Sequence, residues 1–328
     1  MKHLKKAVAV LLTLCMAFVM TTLVFADVEL GGAQYSDDAS VTITKVYRLE
    51  GSGVSPAETF TLQQIGKGVV KDGEAAEAPD LGTITGASFA KGAATVGGTE
   101  AGIVVDLPVY ERVGVYEYTL RETAGTTAGV TYYGNDIRLV VTVINDPDTG
   151  KLRIAAVHTE SAGAEKSDSF PNTYSAGTLH ITKTVTGNLG DKTRYFKFTV
   201  TLTGEQGKVY GESYAVTGGS YAENPAAVKI GESAVFYLKD GETLSLENLP
   251  YGVSYTVEED TPEDYTVTKS GETGTVGSAS ATAAFTNNKG GTPDTGIRLN
   301  SLPYIAMLAL ASSGLLVTLL RKRAAKNR

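Results

Sequence analysis

Val41-Thr42-Ile43-Thr44-Lys45-Val46-Tyr47-Arg48-Leu49 alternates with period two, the pattern of a strand with one buried face. Val41, Ile43, Tyr47 and Leu49 fall on that face, and Lys45 falls among them. An unpaired ammonium in an apolar interior is costly, or it gives up its proton. The same pattern returns at Leu179-His180-Ile181-Thr182-Lys183-Thr184-Val185, where Lys183 shares the face of Leu179, Ile181 and Val185. Two inward lysines on two strands of one design therefore need a common explanation.

The chain has 328 residues, with 37 glycines, 17 tyrosines, no tryptophan and a formal net charge of −7. That charge disfavours nucleic acid or an anionic membrane surface as a partner. Short β-branched and aromatic runs, separated by Gly, Asp and Asn clusters, predict an all-β chain of sandwich or barrel type. The single cysteine, Cys15, lies in an N-terminal apolar segment, so a mature extracytoplasmic protein would have to hold itself together without disulfides.

Residues 1–26 read as a secretory signal peptide: Lys2, Lys5 and Lys6 give a basic start, Ala7 to Phe25 carries no charge, and Val24-Phe25-Ala26 is a small-residue cleavage site. An uncleaved anchor is the alternative. A lipoprotein reading of Cys15 is weaker, because Leu14 stands where a small residue is wanted. At the other end, Leu302 to Leu320 is a charge-free run of 19 residues (320 − 302 + 1), followed by Arg321, Lys322 and Arg323. As a helix it is roughly 28 Å long, enough to cross a hydrocarbon core, and the basic tail would stay cytoplasmic.

Thr292-Pro293-Asp294-Thr295-Gly296 stands just before that run. The combination of Pro-x-Thr-Gly, apolar span and basic tail resembles the cell-wall sorting signal of Gram-positive bacteria, with Thr292 where Leu is common. The resemblance implies that a sortase, of the pilus or housekeeping type, cuts Thr295–Gly296 and passes the threonyl acyl group to an amine.

Without its ends the chain keeps residues 27–295, enough for two domains. Internal repetition supports that number. Tyr118-Thr119-Leu120-Arg121-Glu122 recurs as Tyr255-Thr256-Val257-Glu258-Glu259, and Ser169-Phe170-Pro171-Asn172 recurs as Ala284-Phe285-Thr286-Asn287, in the order set by the two lysines. The expected layout is a first unit over 27–174, a second over 175–289, the sorting motif over 290–296 and the span with its tail over 297–328. Residues 50–100 read as loops with short strands, Ile137 to Val143 as a strand, and Lys239-Asp240-Gly241-Glu242 as a hairpin turn.

Parity places Glu122 on the face of Tyr116, Tyr118 and Leu120, and Glu259 on that of Val253, Tyr255 and Val257. Asn172 shares a face with Phe170 and Tyr174, and Asn287 with Ala283 and Phe285. Each unit thus offers one inward Lys, one inward Glu and one inward Asn. An apolar interior lowers the pKa of a lysine and raises that of a carboxylic acid. A neutral amine beside a carboxamide can attack it and release ammonia. Holding the partners together is worth roughly 7–11 kcal/mol in good geometry. The product is an amide, with no charge left to bury; the bland alternative is a buried Lys–Glu pair with Asn alongside.

These residues resemble the intramolecular isopeptide domains of Gram-positive pilins, especially streptococcal-type backbone pilins. Tyr118-x-Leu120-x-Glu122-Thr123 looks like their glutamate box. The second unit is similar to collagen-adhesin B-type domains, through Phe236-x-Leu238-x-Asp240-Gly241-Glu242 and Asn248-Leu249-Pro250-x-Gly252-x-x-Tyr255-x-Val257-x-Glu259. The resemblance implies two tandem immunoglobulin-like sandwiches with bonds Lys45–Asn172, promoted by Glu122, and Lys183–Asn287, promoted by Glu259. Asn288 is a neighbouring alternative of opposite parity.

The function implied is that of a pilus subunit, of the shaft, joined through Thr295 to a lysine of the next subunit and anchored to peptidoglycan at the cell surface. Lys166 is the candidate lysine by position. The competing class is a stand-alone wall-anchored adhesin with an unidentified host ligand; a thioester adhesin is excluded because no mature cysteine remains. Turnover catalysis is disfavoured: His158 and His180 have no metal-ligand spacing, and there is no nucleophile elbow or phosphate loop. No metal or other cofactor is expected, and the glutamates would each act once, on their own chain.

Overall fold

The computed structural model describes residues 39–71, 77–161, 166–167, 169–260, 262–292 and 302–326. The expected signal peptide, Cys15 and the motif residues Pro293, Asp294, Thr295 and Gly296 lie outside the described residues.

The described residues before the C-terminal segment are built of strands, and two separate apolar cores organise them. In the first unit the strand Ser40–Gly51 lies between Thr99–Asp106, antiparallel, and the start of Ser169–Thr186, parallel. The facing sheet holds Leu62–Gln64, Gly114–Glu122, Ile137–Asn145 and Leu152–Glu160. Between the sheets pack Tyr47, Phe60, Tyr116, Tyr118 and Phe170, with Tyr47 against Phe60 edge to face at 5.1 Å. The described residues of 50–100 form loops and short strands as expected. The longer strand Thr99–Asp106 escapes a sequence reading, because Ala101 and Gly102 interrupt its apolar signal.

The second unit repeats the plan. The end of Ser169–Thr186 lies between Thr243–Pro250, antiparallel, and Ser280–Asn288, parallel. The facing sheet holds Ser233–Leu238, Phe196–Thr203, Ser254–Glu259 and Thr273–Thr275. The turn Lys239–Glu242 is not a hairpin: the strands on either side of it belong to the two facing sheets, so it carries the chain across the sandwich. Asp240 fixes the crossing by accepting the Val185 N–H at 2.7 Å.

One 18-residue strand, Ser169–Thr186, serves both units. Phe170, Asn172 and Tyr174 point into the first core, whereas Leu179, Ile181, Lys183 and Val185 point into the second. The inward set changes from even to odd numbers, and a one-residue slip inverts every side chain of a strand. The break coincides with the register shift between Gly177 and Leu179. Gly177 is required there, since a Cβ on it would stand 2.1 Å from the Ser278 carbonyl oxygen. The expected boundary at 174/175 therefore falls inside a strand and not in a linker.

Further contacts stitch the units together. Asn248, at φ 58°, accepts the Val54 N–H at 2.9 Å and donates to the Val54 carbonyl at 3.0 Å. It also accepts from the Tyr174 hydroxyl at 3.2 Å. The Tyr251 N–H donates to the Ser175 carbonyl at 3.0 Å, and the Ser52 N–H to the Ala176 carbonyl at 2.8 Å. The C-terminal helix Leu302–Lys326 carries an apolar stretch, Leu302–Arg323, of mean hydropathy 1.8, long enough to cross a membrane.

Candidate functional site: two buried Lys–Glu–Asn clusters

In each unit the lysine lies on the first strand and the asparagine on the parallel last strand, while the glutamate comes from the facing sheet. Lys45 pairs in register with Phe170, and Asn172 lies two residues beyond. Lys183 pairs with Phe285, and Asn287 again lies two residues beyond. A spacing of two keeps each asparagine on the face of its lysine. The two glutamates end their strands, Gly114–Glu122 and Ser254–Glu259.

At the first cluster the Lys45 ammonium donates to the Asn172 Oδ1 at 2.7 Å and to the Glu122 Oε2. The other carboxylate oxygen of Glu122 accepts from the Asn172 Nδ2. One carboxylate therefore bridges the amine and the amide nitrogen. Lys45 and Asn172 are each 1% exposed, so no solvent competes for these bonds. Phe60 and Tyr133 wall the ammonium, with ring centroids 5.3 and 5.7 Å from Nζ. Burial holds the Lys45 pKa below its usual value of 10.5, and the opposing charge of Glu122 only partly offsets this.

A fourth group completes this cluster, and the sequence reading missed it. The backbone N–H of Tyr133 donates to the Asn172 Oδ1 at 2.8 Å. Since an N–H can only donate, this bond fixes which end of the carboxamide is oxygen. No side-chain pattern could have revealed a main-chain donor.

At the second cluster the Lys183 ammonium stands 2.8 Å from the Glu259 Oε1, and the Asn287 Nδ2 donates to that same oxygen at 2.7 Å. The Lys183 and Glu259 side chains are 0% and 1% exposed. Lys183 Nζ lies 4.3 Å from the Phe196 ring centroid. Desolvation again lowers the lysine pKa, against the raising effects of Glu259 and Asp240. The Asn287 Oδ1 is buried and has no hydrogen-bond partner among the described residues.

The remaining expected residues lie elsewhere. Lys166 is exposed and bridges in strand fashion to Glu160, whose carboxylate also engages Arg138 and His158. Thr292 is exposed at the end of the described second unit. The exit of the chain is held by Asn188, whose side chain accepts the Gly291 N–H at 3.0 Å and donates to its carbonyl at 2.7 Å. His180 points away from the core and bonds Ser245 at 2.8 Å. Among the described residues no group of three or more His, Cys, Asp or Glu could hold a metal ion.

Residues 41–175 match the family described as Spy0128-like isopeptide containing domain, and residues 177–289 match a domain of unknown function, DUF7601. A relative named Pilin, from Streptococcus pyogenes serotype M1, is 29% identical over 236 residues, which is 66% of this chain and 69% of the relative. The pilus tip adhesin Cpa of S. pyogenes is 35% identical over 127 residues, 36% of this chain and 18% of the adhesin. The crystal structure of the major pilin from S. pyogenes has the same fold, with a TM-score of 0.51 and 24% identity over 78% of this chain and 100% of that one. The chain is similar to the streptococcal pilins, and its residues 41–175 match the Spy0128-like isopeptide containing domain.

Proposed function

We propose that this chain is a shaft subunit of a sortase-assembled pilus, made rigid by two self-formed amide bonds. The observation that carries the reading is the convergence of Lys45, Glu122 and Asn172 within hydrogen-bond reach, out of water, from three strands. Glu122 takes a proton from the Lys45 ammonium, and the neutral amine attacks the Asn172 Cγ. The Nζ–Cγ bond forms and the Cγ–Nδ2 bond breaks. Glu122, already bonded to Nδ2, returns the proton to the leaving nitrogen. As the amide forms, the attacking nitrogen gives its second proton to Glu122; the departing ammonia carries that proton away as ammonium, one per bond, and the Glu122 carboxylate is regenerated. Lys183, Glu259 and Asn287 are arranged for the same reaction.

In the mature form residues 1–26 have been removed by signal peptidase. A sortase opens Thr295–Gly296, residues 297–328 stay in the membrane, and Thr295 is joined to Lys166 of a neighbouring subunit or, at the base, to peptidoglycan. The subunit is then part of a covalent fibre on the cell wall. The apolar C-terminal helix, the exposure of Lys166 and the pilin homology support this order of events.

The test is the size of the product on the native cell surface. A ladder of high-mass species that survives boiling in detergent is expected. Thr295→Ala should collapse it to monomer, and Lys166→Ala should stop growth of the ladder while leaving the chain secreted. A single band after wall digestion would instead identify a stand-alone anchored adhesin.

A further inference from the structure

We propose that the backbone N–H of Tyr133 is the oxyanion donor of the first bond-forming cluster and makes the Lys45–Asn172 bond form before Lys183–Asn287. The inference rests on the amide-bond reading above and adds to it a group with a distinct role.

When the Lys45 amine adds to the Asn172 Cγ, the carbonyl double bond opens and its electron pair moves onto Oδ1. Until the Cγ–Nδ2 bond breaks and ammonia leaves, that oxygen carries negative charge in a site closed to water. Lys45 has by then passed its proton to Glu122, so its nitrogen no longer offers an ammonium to Oδ1. Glu122 lies on the other side of the carboxamide, on Nδ2. The remaining donor on Oδ1 is the Tyr133 N–H, at 2.8 Å. A fixed donor aimed at developing charge in a low-dielectric site lowers the barrier without reorganisation.

The fold holds this donor in place. Val130 and Thr131 pair with Tyr174 and Thr173 on the very strand that carries Asn172. The chain then passes over the amide with Tyr133 pinned by its ring, edge to face with Phe170 at 5.2 Å. The second cluster has no counterpart among the described residues, where the Asn287 Oδ1 is buried without a donor. The two clusters thus share nucleophile, carboxylate and acceptor; the first also bonds Lys45 to the Asn172 Oδ1 and engages both carboxylate oxygens, and among the described residues it alone sets a backbone donor on the carboxamide oxygen.

The experiment uses the full-length chain made by cell-free translation with detergent micelles, sampled over time and quenched in acid. Ammonia loss and cross-linked peptides are followed by mass spectrometry. In the unaltered chain a species lacking one ammonia should accumulate, with its bond at 45–172; accumulation of the 183–287 bond first overturns the proposal. Replacing Tyr133 by its α-hydroxy analogue turns the peptide N–H into an ester oxygen with little change of shape. That change should slow the 45–172 bond by about 10²–10³-fold and leave the 183–287 rate unaltered. The same replacement at exposed Asn135 is the control, and a 45–172 rate equal to that control overturns the proposal. Retention of both ammonias in the unaltered chain would remove the amide-bond reading itself, an outcome separable from the others.

Discussion

Asn172→Ala is expected to lower the stability of the first unit by about 4–5 kcal/mol, and Asn287→Ala to do the same in the second. The bonds would close 127 residues and 104 residues (287 − 183). Loops of that length remove this much entropy from the unfolded chain in the loop-closure account of covalent cross-links. For units of this size the loss corresponds to a melting temperature lower by roughly 10–30 °C, read by calorimetry. Both substitutions leave the lysine paired with its glutamate, so neither strands an unpartnered charge.

The variants should also acquire a pH dependence that the cross-linked protein lacks. In Asn172→Ala the nitrogen of Lys45 stays an amine, and burial keeps its folded pKa below 10.5. Between that lowered value and the unfolded one, the unfolded chain holds more protons than the folded chain. Stability therefore rises with pH across that alkaline interval and levels off above it. In the cross-linked protein the nitrogen belongs to an amide and does not titrate. A Lys45 contribution that rises with pH in the variant and is absent from the unaltered protein is the expected pair of results; identical profiles would count against the bond.

The second large effect is mechanical. With both proposed bonds formed, a chain pulled between residue 39 and residue 291 would transmit force from Lys45 across to Asn172, along the shared strand to Lys183, across to Asn287 and out past the Asn188 clamp. Residues 46–171 and 184–286 lie off that path. Under loads that unfold ordinary β-sandwiches the unaltered protein should show no unfolding step. Asn287→Ala should release a single step of about 350 Å, and Asn172→Ala one of about 430 Å, each less the distance already spanned in the fold. Optical-tweezer or force-microscope traces distinguish the three. If tension instead enters at Lys166, the 45–172 bond lies off the path as a brace, and the 183–287 bond alone carries it. The shared strand, its register break at Gly177 and the Asn248 clip then act as the joint between units.

Much of this was legible in the sequence because it reduces to parity. Lys45, Glu122, Asn172 and their second set sit among apolar residues of like parity, and the structure brings each set together. What was not legible depends on partners remote in sequence. The turn at Lys239–Glu242 has hairpin chemistry, yet local residues do not say which sheet receives the next strand. The switch of inward face between Tyr174 and Leu179 coincides with a break in pairing register, invisible to a strict two-residue period. Asn248 falls in the Asn-Leu-Pro motif of the second unit, and only its contact with Val54 gives it work at the junction. Tyr133 contributes an N–H, which every residue but proline carries.

The most direct measurement is the intact mass of the fragment 27–291. The account predicts a mass two ammonias below that calculated from the sequence, with Glu122→Ala and Glu259→Ala each restoring one. A wild-type mass equal to the calculated value would contradict it, leaving two buried ion pairs in a β-sandwich protein with no weld between strands.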